Sequence, residues 1–300
     1  MHADAHPEFQ YLQLLKTVWE EGDERTDRTG VGTRALFGRT MRFDLSDGTV
    51  PILTTKKVLW RHALIEMLWF LSGETNIRPL LAQGVRIWSD WPLAHYRMET
   101  GEDLSKEAFE ERILEDADFA SRWGNTGKIY GYQWRNWETT DGQRIDQVAE
   151  TVRLLREEPY SRRNLFHAWN VADIPQMSLP PCHMVYQWGV SKGRLNLVMF
   201  QRSVDVVLGL PFNLAGASFL LHMLAQQAGL QPGEFVWMGG DTHVYLNHAH
   251  VVAEQLQRAP RPFPKLILKR HPPSIDDYEV DDFTVEGYDP HSFIKAPVAV

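Results

Sequence analysis

Strand-like runs crowd the second half of this chain, and the helical runs among them keep no regular β-α-β-α beat. CHMVYQWGV and RLNLVMFQRS read as two strands joined by a turn at SKGR, residues 191–194. LAGASFLLHMLAQQAG (214–229) is an apolar helix stopped by glycine; GEFVWMGGDTHVY and KLILKR return to strand character. Such mixing predicts an α+β fold: a single large mixed domain over residues 1–300, with a predominantly β core sheet and flanking helices. In the first half, the start of the chain reads as a helix ending in LLKTVWEEG, and RALFGRTMRFDL as a strand. WRHALIEMLWFLSGET (60–75) spaces Leu64, Ile65, Leu68, Trp69 and Leu71 as a buried helix does. Between Trp91 and Lys128 the chain turns acidic and polar on most faces, which reads as a surface insertion at about residues 93–127.

The sequence excludes several function classes. MHADAHPEFQ has neither the basic nor the apolar region of a secretory signal, and no run approaches the ~18 apolar residues of a membrane span. Cys182 is the only cysteine, so there is no disulfide framework. A soluble, cytoplasmic protein is expected. The net charge of −8 argues against non-specific nucleic-acid binding as the main task. It also means that any anion site must be built locally.

Cys182 sits in LPPCH, where two prolines restrict φ just before it. A lone thiol is either an inert core residue or a reactive group, and reactivity at neutral pH requires nearby positive charge. Arg162 and Arg163 in YSRRN, Arg202 and Ser203 in FQRSVD, and Arg28 in DRTGVGT supply guanidinium forks and hydroxyls suited to a phosphate dianion. Asn213 follows an apolar run. Its amide can present a donor and an acceptor together, as a pyrimidine edge requires, or it can cap the helix that follows. His243, Tyr245, His248 and His250 match no common zinc spacing; a strand turning alternate side chains into one pocket is favoured over metal. Glu66, on the apolar helix, must be paired or functional.

These segments together resemble the thymidylate synthase family. The resemblance runs in order through DRTGVGT, TTKK, EMLWFLSGETNI, IWSDW, YGYQWR, SRR, AWN, LPPCH, QRSVDVVLGLPFN, GGDTHVYLNH, EGYDPH and the terminal KAPVAV. It implies methylation of dUMP to dTMP, with 5,10-methylenetetrahydrofolate as one-carbon donor and reductant and no metal. It also implies a homodimer built on the core sheet. By position, Cys182 becomes the nucleophile toward uracil C6, with Glu66, Tyr130, Asp205 and Arg202 as further catalytic residues and His183 nearby. Arg28, Arg202 and Ser203 would bind the nucleotide phosphate, and Arg162 and Arg163 would reach it from the partner subunit. Asn213 would read the uracil edge, His243 and Tyr245 the sugar hydroxyl, and Asp205 would touch the nucleotide as well. Folate would meet Trp88, Leu179, Asp205, Gly209, Phe212 and Ala299, with Lys56 at its glutamate tail, and PVAV would close as a lid.

Phe166, His167, Val204 and Met238 depart from the residues common in the family, which implies repacking rather than lost chemistry. The sister reaction, hydroxymethylation of dCMP, is disfavoured by Asn213, because that enzyme carries Asp there. A cysteine hydrolase is disfavoured because adjacent strand residues 182 and 183 point to opposite faces. A nucleotide sensor would need no thiol.

Overall fold

The computed structural model describes residues 6–26 and 29–298. Arg28 and Ala299, both expected to bind ligand, lie outside the described residues. Helix α1 (Phe9–Glu21) buries Tyr11, Leu12, Leu14, Leu15 and Val18 and stops at Gly22. Strands β1 (Asp23–Arg25) and β2 (Thr33–Asp44) follow. Then come α2 (Trp60–Leu71), α3 (Arg78–Ala82), α4 (Asp90–Thr100), α5 (Lys106–Glu115), α6 (Ala117–Trp123) and α7 (Tyr130–Arg135). A small ribbon, β3 (Trp137–Glu138) with β4 (Arg144–Ile145), precedes α8 (Gln147–Glu157). The second half holds β5 (Leu165–His167), β6 (His183–Ser191), β7 (Arg194–Asp205), α9 (Gly209–Gln227) and β8 (Gln231–Tyr245). Helix α10 (Ala249–Gln255) and the paired strands β9 (Lys265–Leu268) and β10 (Phe283–Glu286) complete the chain.

The central sheet runs β1-β2-β8-β7-β6-β5. Its pairs are antiparallel except β7 with β8. A parallel pair needs a crossover, and α9 supplies it. The β6–β7 hairpin turns where the sequence predicts: Lys192 at φ 51° and Gly193 at φ 72° give the paired positive dihedrals that match strand twist. Along β7, Leu195, Leu197, Met199 and Gln201 are buried, while Asn196, Val198 and Phe200 on the other face are only half-covered. Met238 of β8, the register partner of Phe200, is 40% exposed on that same face.

Two expectations change in detail. Helix α9 begins at Gly209, five residues ahead of the predicted start, so Asn213 lies inside the helix and Leu208 precedes its first turn. Pro211 in that first turn costs no hydrogen bond, since the first four N–H groups of a helix have no internal acceptor. The acidic segment is less polar than its sequence suggests. Tyr96 (α4), Phe109 (α5) and Phe119 (α6) form one aromatic cluster, with centroids 5.4 to 5.7 Å apart. No helix among the described residues is long and apolar enough to cross a membrane.

Candidate active site

Cys182 immediately precedes β6, where the backbone N–H of Arg202 on β7 donates to its carbonyl at 2.8 Å. The guanidinium of Arg202 turns back on the same segment. Its Nε donates to the Pro181 carbonyl at 2.8 Å and an Nη to the Pro180 carbonyl at 2.7 Å, and that Nη lies 3.9 Å from the Cys182 Sγ. One arginine therefore pins the proline segment and places positive charge beside the thiol. Its guanidinium also lies 5.1 Å from the Trp169 ring centroid. Strand β8 can pass this closely only because of Gly240: a Cβ there would sit 2.7 Å from the Arg202 carbonyl oxygen. Burial nevertheless dominates. It pushes the Cys182 thiol up, and Arg202 and Tyr130 only partly offset it.

Beneath the thiol, the Tyr130 hydroxyl accepts from the Cys182 backbone N–H at 2.6 Å. The Tyr130 ring stacks on His183 at 4.2 Å, and the His183 Nδ1 lies 2.8 Å from the Tyr186 hydroxyl. Burial lowers His183 to about 3, so it is neutral at physiological pH. Burial also raises Tyr130 well above the usual phenol range. Glu66 of α2 is buried, and its Oε1 accepts from the Trp88 indole N–H at 2.7 Å. Desolvation raises Glu66 to about 7, with the Trp88 bond opposing it. Among the described residues Glu66 has no cationic partner; of the expected alternatives, paired or functional, the only pairing is the indole bond. A carboxyl poised near neutrality can give or take a proton.

A second polar group sits across the sheet. The Trp237 indole N–H donates to Gln201 Oε1 at 2.9 Å, and Gln201 Nε2 donates to Asn213 Oδ1 at 2.7 Å. Indole nitrogen is only a donor, so it fixes the orientation of the Gln201 amide, which in turn fixes that of Asn213. The Asn213 NH₂ is left to donate outward. Gln201 and Trp237 are absent from the sequence-based site. A buried glutamine on a strand that must satisfy both ends of its amide was the available signal.

Asp205 accepts from the Val207 N–H at 2.8 Å and lies 3.9 Å from His248 Nδ1. His248 Nε2 is 2.8 Å from the Pro297 carbonyl, and His250 Nε2 is 2.8 Å from that of Lys295. A carbonyl only accepts, so in each ring Nε2 carries the proton. These histidines bind the C-terminal segment to the Asp205 side of the site. Gly209 stands beside Asn213 and Asp205, with its missing Cβ 3.8 and 4.0 Å from them. His243 pairs with Asp241 at 3.0 Å, and its ring meets that of Tyr245 edge-on at 5.4 Å. Asp205 and His243 are register partners, which brings β7 and β8 together here.

Lys56 lies on the segment that leads into α2. It is buried, its ammonium is bonded to the Val207 carbonyl, and burial lowers it to about 8. Arg162 and Arg163 are exposed and belong to no ion pair among the described residues. Leu179 and Phe212 are partly buried against the core, and Ser203 is half-exposed on β7. No group of three or more His, Cys, Asp or Glu side chains among the described residues is placed to hold a metal ion.

The family model described as thymidylate synthase matches residues 9–300. This chain belongs to the thymidylate synthase family. Thymidylate synthase of Cereibacter sphaeroides is 63% identical over 297 residues, covering 99% of this chain and 100% of that protein. Thymidylate synthases of Rhodopseudomonas palustris (62% identical; 98% of this chain, 99% of that one) and Zymomonas mobilis (61%; 98% and 99%) match along the same length. The reaction of the thymidylate synthase family is methyl transfer to dUMP to give dTMP, with methylenetetrahydrofolate as co-substrate. The chain is accordingly a methyltransferase.

Proposed function

We propose that Cys182 adds through Sγ to C6 of the uracil ring of dUMP, and that Asn213 selects that ring. The observation carrying this reading is the oriented chain from Trp237 through Gln201 to Asn213. The outward Asn213 NH₂ donates to uracil O4, and the second lone pair of its Oδ1 accepts from N3–H. A cytosine ring presents the reverse pattern, which this chain of donors resists.

Sulfur adds as thiolate, and the electron pair of the C5–C6 bond moves to C5 and O4. The donor from Asn213 stabilises that developing charge. C5 attacks the methylene carbon of methylenetetrahydrofolate, a base removes the C5 proton and tetrahydrofolate is expelled; hydride from tetrahydrofolate then reduces the exocyclic methylene as the Cys182 thiolate leaves C6, giving dTMP and dihydrofolate. Glu66 handles protons near O4, and Tyr130 joins it to Cys182. Arg28, Arg202 and Ser203 hold the phosphate, while His243 and Tyr245 hold the sugar hydroxyl. Asp205, Gly209, Trp88, Leu179, Phe212 and Ala299 face the folate, and Gly209 keeps room for it. Lys56 reaches the glutamate tail only by leaving the Val207 carbonyl. Closure of the C-terminal residues, held by His248 and His250, excludes water from the reacting carbon. The chain forms one catalytic domain, 1–300, whose acidic insertion spans about 93–127.

The enzyme is a homodimer joined through the outer face of the sheet, where Val198, Phe200 and Met238 form an incompletely covered apolar row. Arg162 and Arg163 then serve the phosphate of the partner subunit. Mixing Arg162→Ala with Cys182→Ala subunits should restore about one quarter of wild-type activity. Half of randomly mixed dimers are mixed, and each has one intact site. No recovery after verified subunit exchange would reject the shared site.

Intact-mass spectrometry after incubation with 5-fluoro-dUMP and methylenetetrahydrofolate tests the chemistry directly. Fluorine cannot leave C5 as a cation, so the covalent ternary complex should accumulate on the single thiol. A mass gain of nucleotide plus folate supports the reading. Folded, dUMP-binding protein that gains no mass would overturn it.

A further inference from the structure

Glu110 lies on α5, within the acidic segment, and is only 2% exposed. One of its carboxylate oxygens pairs with Arg86, and the other has no hydrogen-bond partner among the described residues. A carboxylate buried this deeply is costly unless paired, so Arg86 is what makes the position tenable. Lys106, the first residue of α5, pairs with Asp90 at 2.6 Å. Arg86 and Asp90 bracket a turn in which the Ser89 N–H donates to the Arg86 carbonyl, and Trp88 sits in that turn. Helix α5 therefore holds both ends of the segment that presents the Trp88 indole N–H to Glu66. Trp69 and Trp91 flank the indole at 5.8 and 5.3 Å, so it can move only if the turn moves.

We propose that the inserted helix α5 is a positioning element for the active site: the Arg86–Glu110 and Asp90–Lys106 pairs hold Trp88 against Glu66. Arg86, Glu110, Asp90 and Lys106 are positioning residues that act through Trp88. The inference rests on the reading of Glu66 as a proton-handling group. Ionisable groups near Glu66 are Tyr130 on α7 and Tyr186 on β6; Cys182 meets Tyr130 in turn, and His183 stacks on it. On the other elements packed against α2, Asp281 faces Arg61, the Arg78 guanidinium donates to the Leu114 carbonyl, and His222 of α9 meets the Ser218 carbonyl.

The test compares Glu110→Leu, Lys106→Met, Arg86→Lys and Trp88→Phe, each as the full chain, by kcat, KM for dUMP and the pH profile of kcat. Glu110→Leu should lower kcat about 10- to 100-fold, as loss of an outer support for a reacting group does. KM for dUMP should stay within about threefold, because the nucleotide contacts lie elsewhere. The pH midpoint assigned to Glu66 should rise, since the lost indole bond favoured the ionised carboxylate. Lys106→Met, whose partners are partly exposed, should give a smaller change in the same direction. Arg86→Lys should retain most activity, and Glu110→Leu should add nothing further on a Trp88→Phe background. An unchanged kcat and pH midpoint in both Glu110→Leu and Lys106→Met would overturn the inference. So would parallel losses in kcat, dUMP binding and thermal stability, because those mark a merely structural role. Adduct formation by the wild-type chain with 5-fluoro-dUMP separates this failure from failure of the underlying reaction.

Discussion

Cys182→Ala should lower turnover by at least about 10⁴-fold, because no other group in the chain can form the carbon–sulfur bond at C6. Folding should be intact, since the substitution removes one sulfur from a half-buried residue and leaves the bonds of Arg202 to Pro180 and Pro181 in place. Cys182→Ser should fail almost as completely, since a hydroxyl is far less ionised than a thiol beside the same arginine. Arg202→Met is the informative companion. It removes the one charge that offsets burial of the thiol and also frees two proline carbonyls. The reactive fraction should fall and the alkaline shift in the pH profile of adduct formation should grow. Turnover within tenfold of wild type by Cys182→Ala, from a preparation free of wild-type enzyme, would eliminate covalent addition.

Cys182 could be singled out because activation of a thiol needs a cation, and the chain offers arginines in few clusters; FQRSVD is the one that lies beside LPPCH, while the role of the thiol came from the family resemblance. Helix 60–71 and the hairpin at Lys192–Gly193 were legible for a similar reason, since apolar spacing and turn residues are local signals. Long-range relations were not. Nothing in the strand pattern tells β7 and β8 to run parallel, because an alternating strand reads the same in either orientation. The start of α9 was hidden by Gly209 and Pro211, which look like loop residues until their place in a first helical turn is known.

The buried partners were the hardest to anticipate. Lys56 was expected at the folate glutamate tail, yet it is buried with its ammonium on the Val207 carbonyl. Gln201 reads as one more polar residue in FQRSVD. Only the fold shows that it sits between a donor that cannot accept, Trp237, and the amide it orients, Asn213. His248 was weighed as a metal ligand; its Nε2 holds the Pro297 carbonyl, while its Nδ1 lies 3.9 Å from Asp205 with no hydrogen-bond partner among the described residues. In each case the chemistry follows from which groups remain unsatisfied after burial, and that is a property of the packed molecule.

Glu66→Gln should trade activity for stability. Burial holds the Glu66 carboxyl at about 7, against 4.5 for an ordinary glutamate. The folded chain therefore binds more protons at this site than the unfolded chain between those values. The contribution of Glu66 to stability is most favourable below pH ~4.5, falls as pH rises, and levels off above ~7. The difference amounts to about 3 kcal/mol at pH 8. Glutamine has the same shape and still accepts the Trp88 indole N–H through its carbonyl oxygen, but it does not ionise. The variant should match wild-type stability near pH 4 and exceed it by about 3 kcal/mol at pH 8, as measured by urea unfolding at both values. Loss of proton exchange should lower kcat by about 10² to 10⁴-fold. A stability gain with unchanged kcat would leave Glu66 a buried structural residue. Equal loss of stability at both pH values would mean that the ionised carboxylate is held by a partner, contrary to the single indole bond seen here.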